Sequence, residues 1–239
     1  MDHENTVLIT PIAHIRTDFH EKFGIPRQSC LVPELRARIE FEEEYADPNA
    51  IRGIEEYNYL WLIFGFSESR VLPGDPWMPI VHPPRLGGKV GKGVFATRSP
   101  YRPNSLGLSS VRLIEVDRTD PGHPALIVGG ADLLDGTPVY DIKPYMVYGD
   151  SHPDAGNGFA YTRWKTLEVD FPEELLAKIG PAHREAVVGV LAQDPRGAYE
   201  KKPGYVFGMN FAEYDIRFTV EGETLTVVGV EPREAEKVK

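Results

Sequence analysis

The sequence predicts a mainly β protein, with a β-barrel N-terminal domain followed by a small α+β C-terminal domain. Three observations carry that prediction. Short alternations of apolar and polar residues recur through the first two thirds, in "TVLITPIAHIRT", "YLWLIFGFS", "GVFATRS", "LSSVRLIEVD" and "ALIVGGADLL". Each is bounded by Gly, Pro, Asp or Asn, the pattern of antiparallel strands. No segment of helical period alternates with them, which argues against a doubly wound parallel sheet. After "GDSHPDAGNG" (149–158) the grammar changes, so residues 1–150 are expected to form one domain and 151–239 another.

Taken in order, many short strands in the first domain are expected to close into a barrel, which removes exposed edges. The apolar run "YLWLIFGF" (59–66) reads as a buried strand and is too short to cross a bilayer. The acid-rich "PELRARIEFEEEYADPNAIRGIEEY" reads as extended or partly helical decoration. In the second domain, "DFPEELLAKIG" has Asp170 and Pro172 at its start, acids in its first turn and Gly180 as a stop, so it predicts a short helix. "PAHREAVVGVLAQ" predicts a second, ended by Asp194 and Pro195. "GYVFGMNFAEYDIRFTVEGETLTVVGVEP" predicts two or three strands with "EGET" as a hairpin turn.

Composition narrows the setting. Cys30 is the single cysteine of 239 residues, so no intramolecular disulfide can form and a reducing cytoplasm is expected. The N-terminus "MDHENTVLIT" carries acids where a signal peptide needs base, and no membrane association is expected. A net charge of −10 argues against a protein that coats nucleic acid without selectivity. The distribution says more than the sum. Between 76 and 114 there is no Asp or Glu, whereas Arg85, Lys89, Lys92, Arg98, Arg102 and Arg112 all fall there. Two readings stand: a local positive surface for one anionic partner, or chance clustering paired in space with acids from elsewhere.

Several motifs exclude familiar chemistries. "GGKVGKGVFA" resembles a dinucleotide fingerprint at Gly91, Gly93 and Ala96, but that motif must open a helix, and the prolines at 100 and 103 forbid one. The Walker pattern fails because Leu86 stands where its first Gly belongs and Gly93 where Ser or Thr belongs. The seven histidines are scattered with no cysteine pairs, so a dedicated metal site is not expected. No Gly-x-Ser-x-Gly elbow occurs, and Cys30 reads as a small core hydrophobe.

Four segments set polar side chains on Pro- and Gly-stiffened turns: "IPRQSCLVP", "VHPPRLGGKVGKG", "ATRSPYRPNSLG" and "GGADLLDGTPVYDIKPY". Such turns hold a site in place without a large ordering cost on binding. In this order the segments resemble the TsaA-like family, the tRNA methyltransferases that methylate N6 of threonylcarbamoyladenosine beside the anticodon. The later "LAQDPRGAY" matches as well, and the resemblance covers nearly the whole chain. The chain departs from the family's "RPNPIG" at Ser105 and Leu106, a change expected to loosen the loop while leaving Arg102, Asn104 and Gly107 in place.

The resemblance implies an S-adenosyl-L-methionine enzyme built on a β-barrel, a homodimer, and a C-terminal domain that helps hold tRNA. Its cofactor contacts map onto Pro26, Arg27, Gln28, Ser67, Glu68, Arg98, Ser110, Ala131, Asp132, Leu133 and Leu134. Ser67 and Glu68 differ in type from the rest of the family. The acceptor nitrogen is delocalised between an adenine and a carbamoyl group, so a carboxylate base and a polarising cation would help it react. Asp135 and Asp141 are the candidate bases and Lys143 the candidate cation; turn aspartates and a cross-strand ion pair are the plain alternative. Arg102 is expected to pair the threonylcarbamoyl carboxylate bidentately, with Asn104 beside it, and Arg196 to face the tRNA. The rival reading is a non-catalytic β-barrel module that binds an adenosine-containing ligand or an RNA loop.

Overall fold

The computed structural model describes residues 7–66, 77–83, 86–160, 165–197 and 204–233. Six antiparallel strands close into a barrel: β1 (Ala13–Arg16), β2 (Arg36–Phe41), β3 (Tyr59–Gly65), β6 (Leu106–Asp117), β7 (Ala125–Gly129) and β8 (Thr137–Pro144), in the spatial order β1-β2-β7-β6-β3-β8. Alternation sets the wall. In β3, Leu60, Leu62 and Phe64 are buried while Tyr59, Trp61 and Ile63 face outward. With Ala13, Ile15, Ile39, Val111, Leu126, Val128 and Val139 they fill the interior. Each fully buried Leu or Ile stabilises the barrel by about 1.5–3 kcal/mol.

Two sequence expectations are corrected inside the barrel. The segment read as decoration supplies β2, a wall strand whose Ala37 and Ile39 point inward. Charged outward residues mask its alternation: Arg38 pairs with Glu40 and Asp117. "GVFATRS", read as a strand, is one only at its first residue, Gly93, which ends β5 (Lys92–Gly93) paired with β4 (Ile80–Val81). It then tightens into a 3-10 turn, Val94–Ala96, closed where the Thr97 amide and hydroxyl both donate to the Val94 carbonyl, at 3.1 and 2.8 Å.

A four-stranded sheet follows, in the order β10 (Phe207–Phe211), β11 (Tyr214–Glu221), β12 (Thr224–Pro232) and β9 (Glu168–Asp170). The turn expected at "EGET" is present, with Glu221 opposite Thr224 and Gly222 at φ 61. β9, parallel to β12, is too short to show a period. In the chain, the short helix α1 (Val147–Asp150) follows β8 and precedes β9. The expected helices are α2 (Glu173–Leu176) and α3 (Arg184–Ala192). Ala186, Val187, Val190 and Leu191 of α3 pack against Met209, Phe211, Ile216 and Phe218.

The connection between β1 and β2 crosses to this second core. Phe19, Val32 and Leu35 are buried in it, and the Phe19 ring meets Phe211 edge-on at 5.6 Å. The Ala212 amide donates to the Asp18 carbonyl at 2.8 Å. Residues 17–35 are therefore held between barrel and sheet, and they carry Pro26, Arg27 and Gln28.

Candidate functional site

One mouth of the barrel is rimmed by the ends of β1, β3 and β7 and the starts of β2, β6 and β8. β6 outruns β7 here, because Gly129 already pairs with Arg112. Its free edge is met by Cys30, whose Sγ lies 3.4 Å from the Ser110 carbonyl and whose amide donates to the Gly130 carbonyl at 2.8 Å. Cys30 sits at φ 61 and Gly130 at φ 73. A Cβ on Gly130 would lie 3.0 Å from the Cys30 Cα, so only glycine allows this approach. Burial, then the nearby Asp132, pushes the Cys30 thiol up. It packs half-buried at the mouth with its thiol on the Ser110 carbonyl, rather than in either hydrophobic core where the sequence suggested it would lie.

The turn between β7 and β8 is clamped along its length. The Ser109 hydroxyl donates to Asp132 Oδ1 at 2.7 Å. The Thr17 hydroxyl donates to the Leu133 carbonyl at 3.0 Å, and the Thr137 hydroxyl to the Leu134 carbonyl at 2.7 Å. Ala131 and Leu133 are buried. Burial also pushes the Asp132 carboxyl above the ordinary range, against the opposing pull of the Ser109 hydroxyl, its own amide, the Arg98 guanidinium and the Ser29 amide. A carboxylate so perturbed in a cleft is a candidate functional group.

Arg98 reaches this mouth from the 94–105 loop. Its Nη1 donates to Gln28 Oε1, and the Gln28 amide nitrogen donates to the Arg27 carbonyl. The remaining Arg98 donors have no protein acceptor among the described residues. Arg98, Gln28, Asp132 and Ser110, spread across more than a hundred positions of sequence, thus meet at one place. The loop itself is fixed by Arg102, which donates from Nε to the Ser99 carbonyl at 3.1 Å and from Nη2 to the carbonyls of Thr97 and Val94 at 2.8 and 3.3 Å.

The chain is similar to known proteins along nearly its whole length. Residues 14–151 match the family described as tRNA-methyltransferase O N-terminal domain, and residues 165–233 match the TrmO C-terminal domain. A protein of Escherichia coli K12 named tRNA (adenine(37)-N6)-methyltransferase is 38% identical over 231 residues, 93% of this chain and 97% of that protein. A Pseudomonas aeruginosa protein named "Putative S-adenosylmethionine-dependent methyltransferase RcsF" is 40% identical over 218 residues, 88% of this chain and 91% of that protein. The crystal structure of TrmO from P. aeruginosa superimposes with a TM-score of 0.78 at 33% identity, covering 98% of this chain and 100% of that one.

The chain belongs to the TrmO family.

Several residues expected from sequence stand elsewhere in this TrmO-family fold. Arg27 reaches the C-terminal domain: its Nη2 donates to the carbonyls of Arg196 and Asp194, at 3.2 and 3.5 Å. Arg196 is only 8% exposed. It pairs bidentately with Asp194 at 2.7 and 2.9 Å, with its guanidinium 6.0 Å from the Phe207 ring centre, so it faces inward. Arg102 has both its Nε and Nη2 engaged, so a bidentate grip on a carboxylate is closed to it and Nη1 alone is left. Asn104 is exposed beside it. Ser67, Glu68 and Arg85 lie outside the described residues.

The three catalytic candidates do not converge. Asp135 precedes β8 and accepts from the Thr17 amide at 3.0 Å. Asp141 lies six residues further on, past the Asp135–Gly136 turn and along β8, at most about 20 Å away at ~3.3 Å per residue. It pairs with Lys143 at 2.7 Å on the same strand rather than across strands, and both sit on strand β8, not on a turn. Asp141 also lines a cavity of ≈ 390 Å³ with Ile12, Phe41, Tyr45, Ile51 and Ile54. Glu44 and Asp47 add two more carboxylates to that wall, which suits it poorly to an anionic ligand. Asp132, expected among the cofactor contacts, is the carboxylate the mouth encloses; its burial could not be read from sequence. Among the described residues no group of three His, Cys, Asp or Glu is placed to hold a metal ion, and no helix is long and apolar enough to cross a membrane.

Proposed function

We propose that the chain transfers a methyl group from S-adenosyl-L-methionine to N6 of threonylcarbamoyladenosine beside the anticodon of tRNA. The observation that carries this reading is the meeting of Arg98, Gln28 and the Ser109–Asp132 pair at the barrel mouth, in a chain of the TrmO family. The donor set fits the cofactor. Arg98 offers free N–H groups for a carboxylate, Gln28 an amide for a purine edge or hydroxyl, and the clamped turn a row of fixed backbone groups. When bound, the cofactor supplies a methyl group on a sulfonium.

The chain's own residues then orient and deprotonate. Asp132, raised by burial and steadied by Ser109, is suited to hold the proton that the acceptor N6 gives up, the role first sought in Asp135 or Asp141. Arg102 shapes the loop through three carbonyls and presents Nη1, with Asn104, toward the threonylcarbamoyl carboxylate. We assign the C-terminal domain to tRNA contact, with Arg196 acting indirectly by fixing the 194–196 turn. A homodimer is supported by the exposed apolar side chains of the excursion that carries this loop. Trp77 packs against Phe95, ring centres 5.8 Å apart, and with Met78, Ile80 and Tyr101 they are all open to solvent in one chain. A cytoplasmic setting agrees with the single Cys30.

Mass spectrometry of tRNA nucleosides from a deletion strain tests the reading. The N6-methyl form of threonylcarbamoyladenosine should disappear and return on complementation. An unchanged profile would leave the binding-module reading in its place.

A further inference from the structure

The outer wall of the barrel carries an organised row that the cofactor mouth does not use. Register alone assembles it. Arg36 and Arg112 flank Gly129 on either side, Arg112 pairs with Tyr59, and the Tyr145 amide donates to the Tyr59 carbonyl at 2.9 Å. One step along the strands, Ser110, Trp61 and Lys143 form a second row. The rings are packed together, with Tyr145 5.5 Å from Trp61 and 6.4 Å from Tyr59. The Trp61 indole is held by Asp150 Oδ2 at 3.0 Å, an acid kept ionised below its ordinary range by the Met146 amide and that same indole.

Tyr59 is 41% exposed in the midst of this row. Arg112, exposed beside it, has no acceptor among the described residues. Two carboxylates on the neighbouring strand β8 and helix α1 are occupied, Asp141 by Lys143, and Asp150 by Trp61 and Met146; Glu55 is paired with Arg118, and Glu115 is exposed three residues along β6 from Arg112. Fixed aromatic rings beside a guanidinium without a partner are what unpaired nucleotides require, a face to stack on and a cation for the phosphate. The row also runs into the mouth. Arg112 lies two residues from Ser110, about 7 Å along the strand, close to the reach of one extended nucleotide.

We infer that this wall, centred on Tyr59 and Arg112, is a stacking platform for the unpaired nucleotides adjoining the methylated adenosine. The inference rests on the proposed methylation only for which RNA lies there. The platform adds few phosphate contacts, as an acidic chain must, and gains its hold on RNA from ring faces.

The test uses the full-length protein and an anticodon stem-loop RNA over a salt series, with S-adenosylhomocysteine affinity and oligomeric state measured in parallel. Tyr59→Ala should weaken RNA binding roughly tenfold and Tyr59→Phe should retain it, because stacking needs the ring and not the hydroxyl. Arg112→Ala should lower the salt slope by about one phosphate's worth. Cofactor affinity and oligomeric state should not change. RNA affinity equal to the parent's in Tyr59→Ala and Arg112→Ala would overturn the inference. So would a loss that tracks a change in oligomeric state, since the wall would then be a contact between copies. If the parent binds RNA through this row but methylates nothing, the proposed function fails and the platform stands.

Discussion

Arg27 donates from Nη2 to the carbonyl of Arg196 at 3.2 Å, joining the barrel's β1–β2 connection to a turn of the C-terminal domain. Its neighbour Gln28 accepts from Arg98. Two consecutive residues therefore tie the cofactor loop to the domain assigned to tRNA. Arg27→Ala should lower stability by about 1.5–3 kcal/mol, the range for hydrogen bonds from a charged donor. It should weaken tRNA use more than cofactor binding. Thermal unfolding with calorimetry of S-adenosylhomocysteine checks this. Lost cofactor affinity at unchanged stability would instead return Arg27 to the cofactor site.

Asp132 makes stability and function pull apart. Its carboxyl is raised above the ordinary value of 3.8. As pH climbs through that value the unfolded chain releases the proton first, while the folded chain keeps it until its own higher pKa is passed. Stability is therefore lost as pH rises from the ordinary carboxylate value through the raised one. Asp132→Asn, which still accepts from Ser109, should melt higher than the parent at pH 7, with the gap closing toward pH 3, and should be inactive. A variant equally stable at both pH values would contradict the assigned burial cost, and an active one the assigned role.

The 102–107 turn is tighter than the sequence suggested. Ser105 lies at φ 47 and is buried, and its amide donates to the Arg102 carbonyl at 3.0 Å. A proline, which the family pattern carries here, is locked near −65° and has no amide hydrogen to give. Ser105 thus fits a different turn rather than a looser one. Ser105→Pro should destabilise the protein by on the order of 3 kcal/mol. Gly107 is a second fixed point, since a Cβ there would come within 2.2 Å of the buried Phe64 ring. Gly107→Ala should cost about 1–3 kcal/mol through overpacking. Chemical denaturation measures both, and wild-type stability in either would show that the turn can relax.

Much of the barrel was legible because burial on one face writes a two-residue period: Leu60, Leu62 and Phe64 announce β3. β2 was hidden by the charged partners of its outward face, Arg38 and Glu40. The site was legible as a set of segments but not as a set of contacts. Arg98 and Gln28 are 70 residues apart, and Arg27 and Asp194 are 167 apart, so no local pattern pairs them. Arginine types pointed to a loop short of acids, yet Arg102 there and Arg196 in the C-terminal domain are held by their own local chain. Backbone carbonyls and a near neighbour satisfied them, which an inventory of distant carboxylates could not foresee.

The most direct test is methyl transfer in vitro, with purified protein, S-adenosyl-L-methionine and tRNA that either carries or lacks the threonylcarbamoyl group, read by nucleoside mass spectrometry. The account predicts N6-methylation of the threonylcarbamoyl-bearing tRNA alone, lost in Arg98→Ala together with S-adenosylhomocysteine binding. Equal methylation of both tRNAs, or full activity in Arg98→Ala, would contradict it.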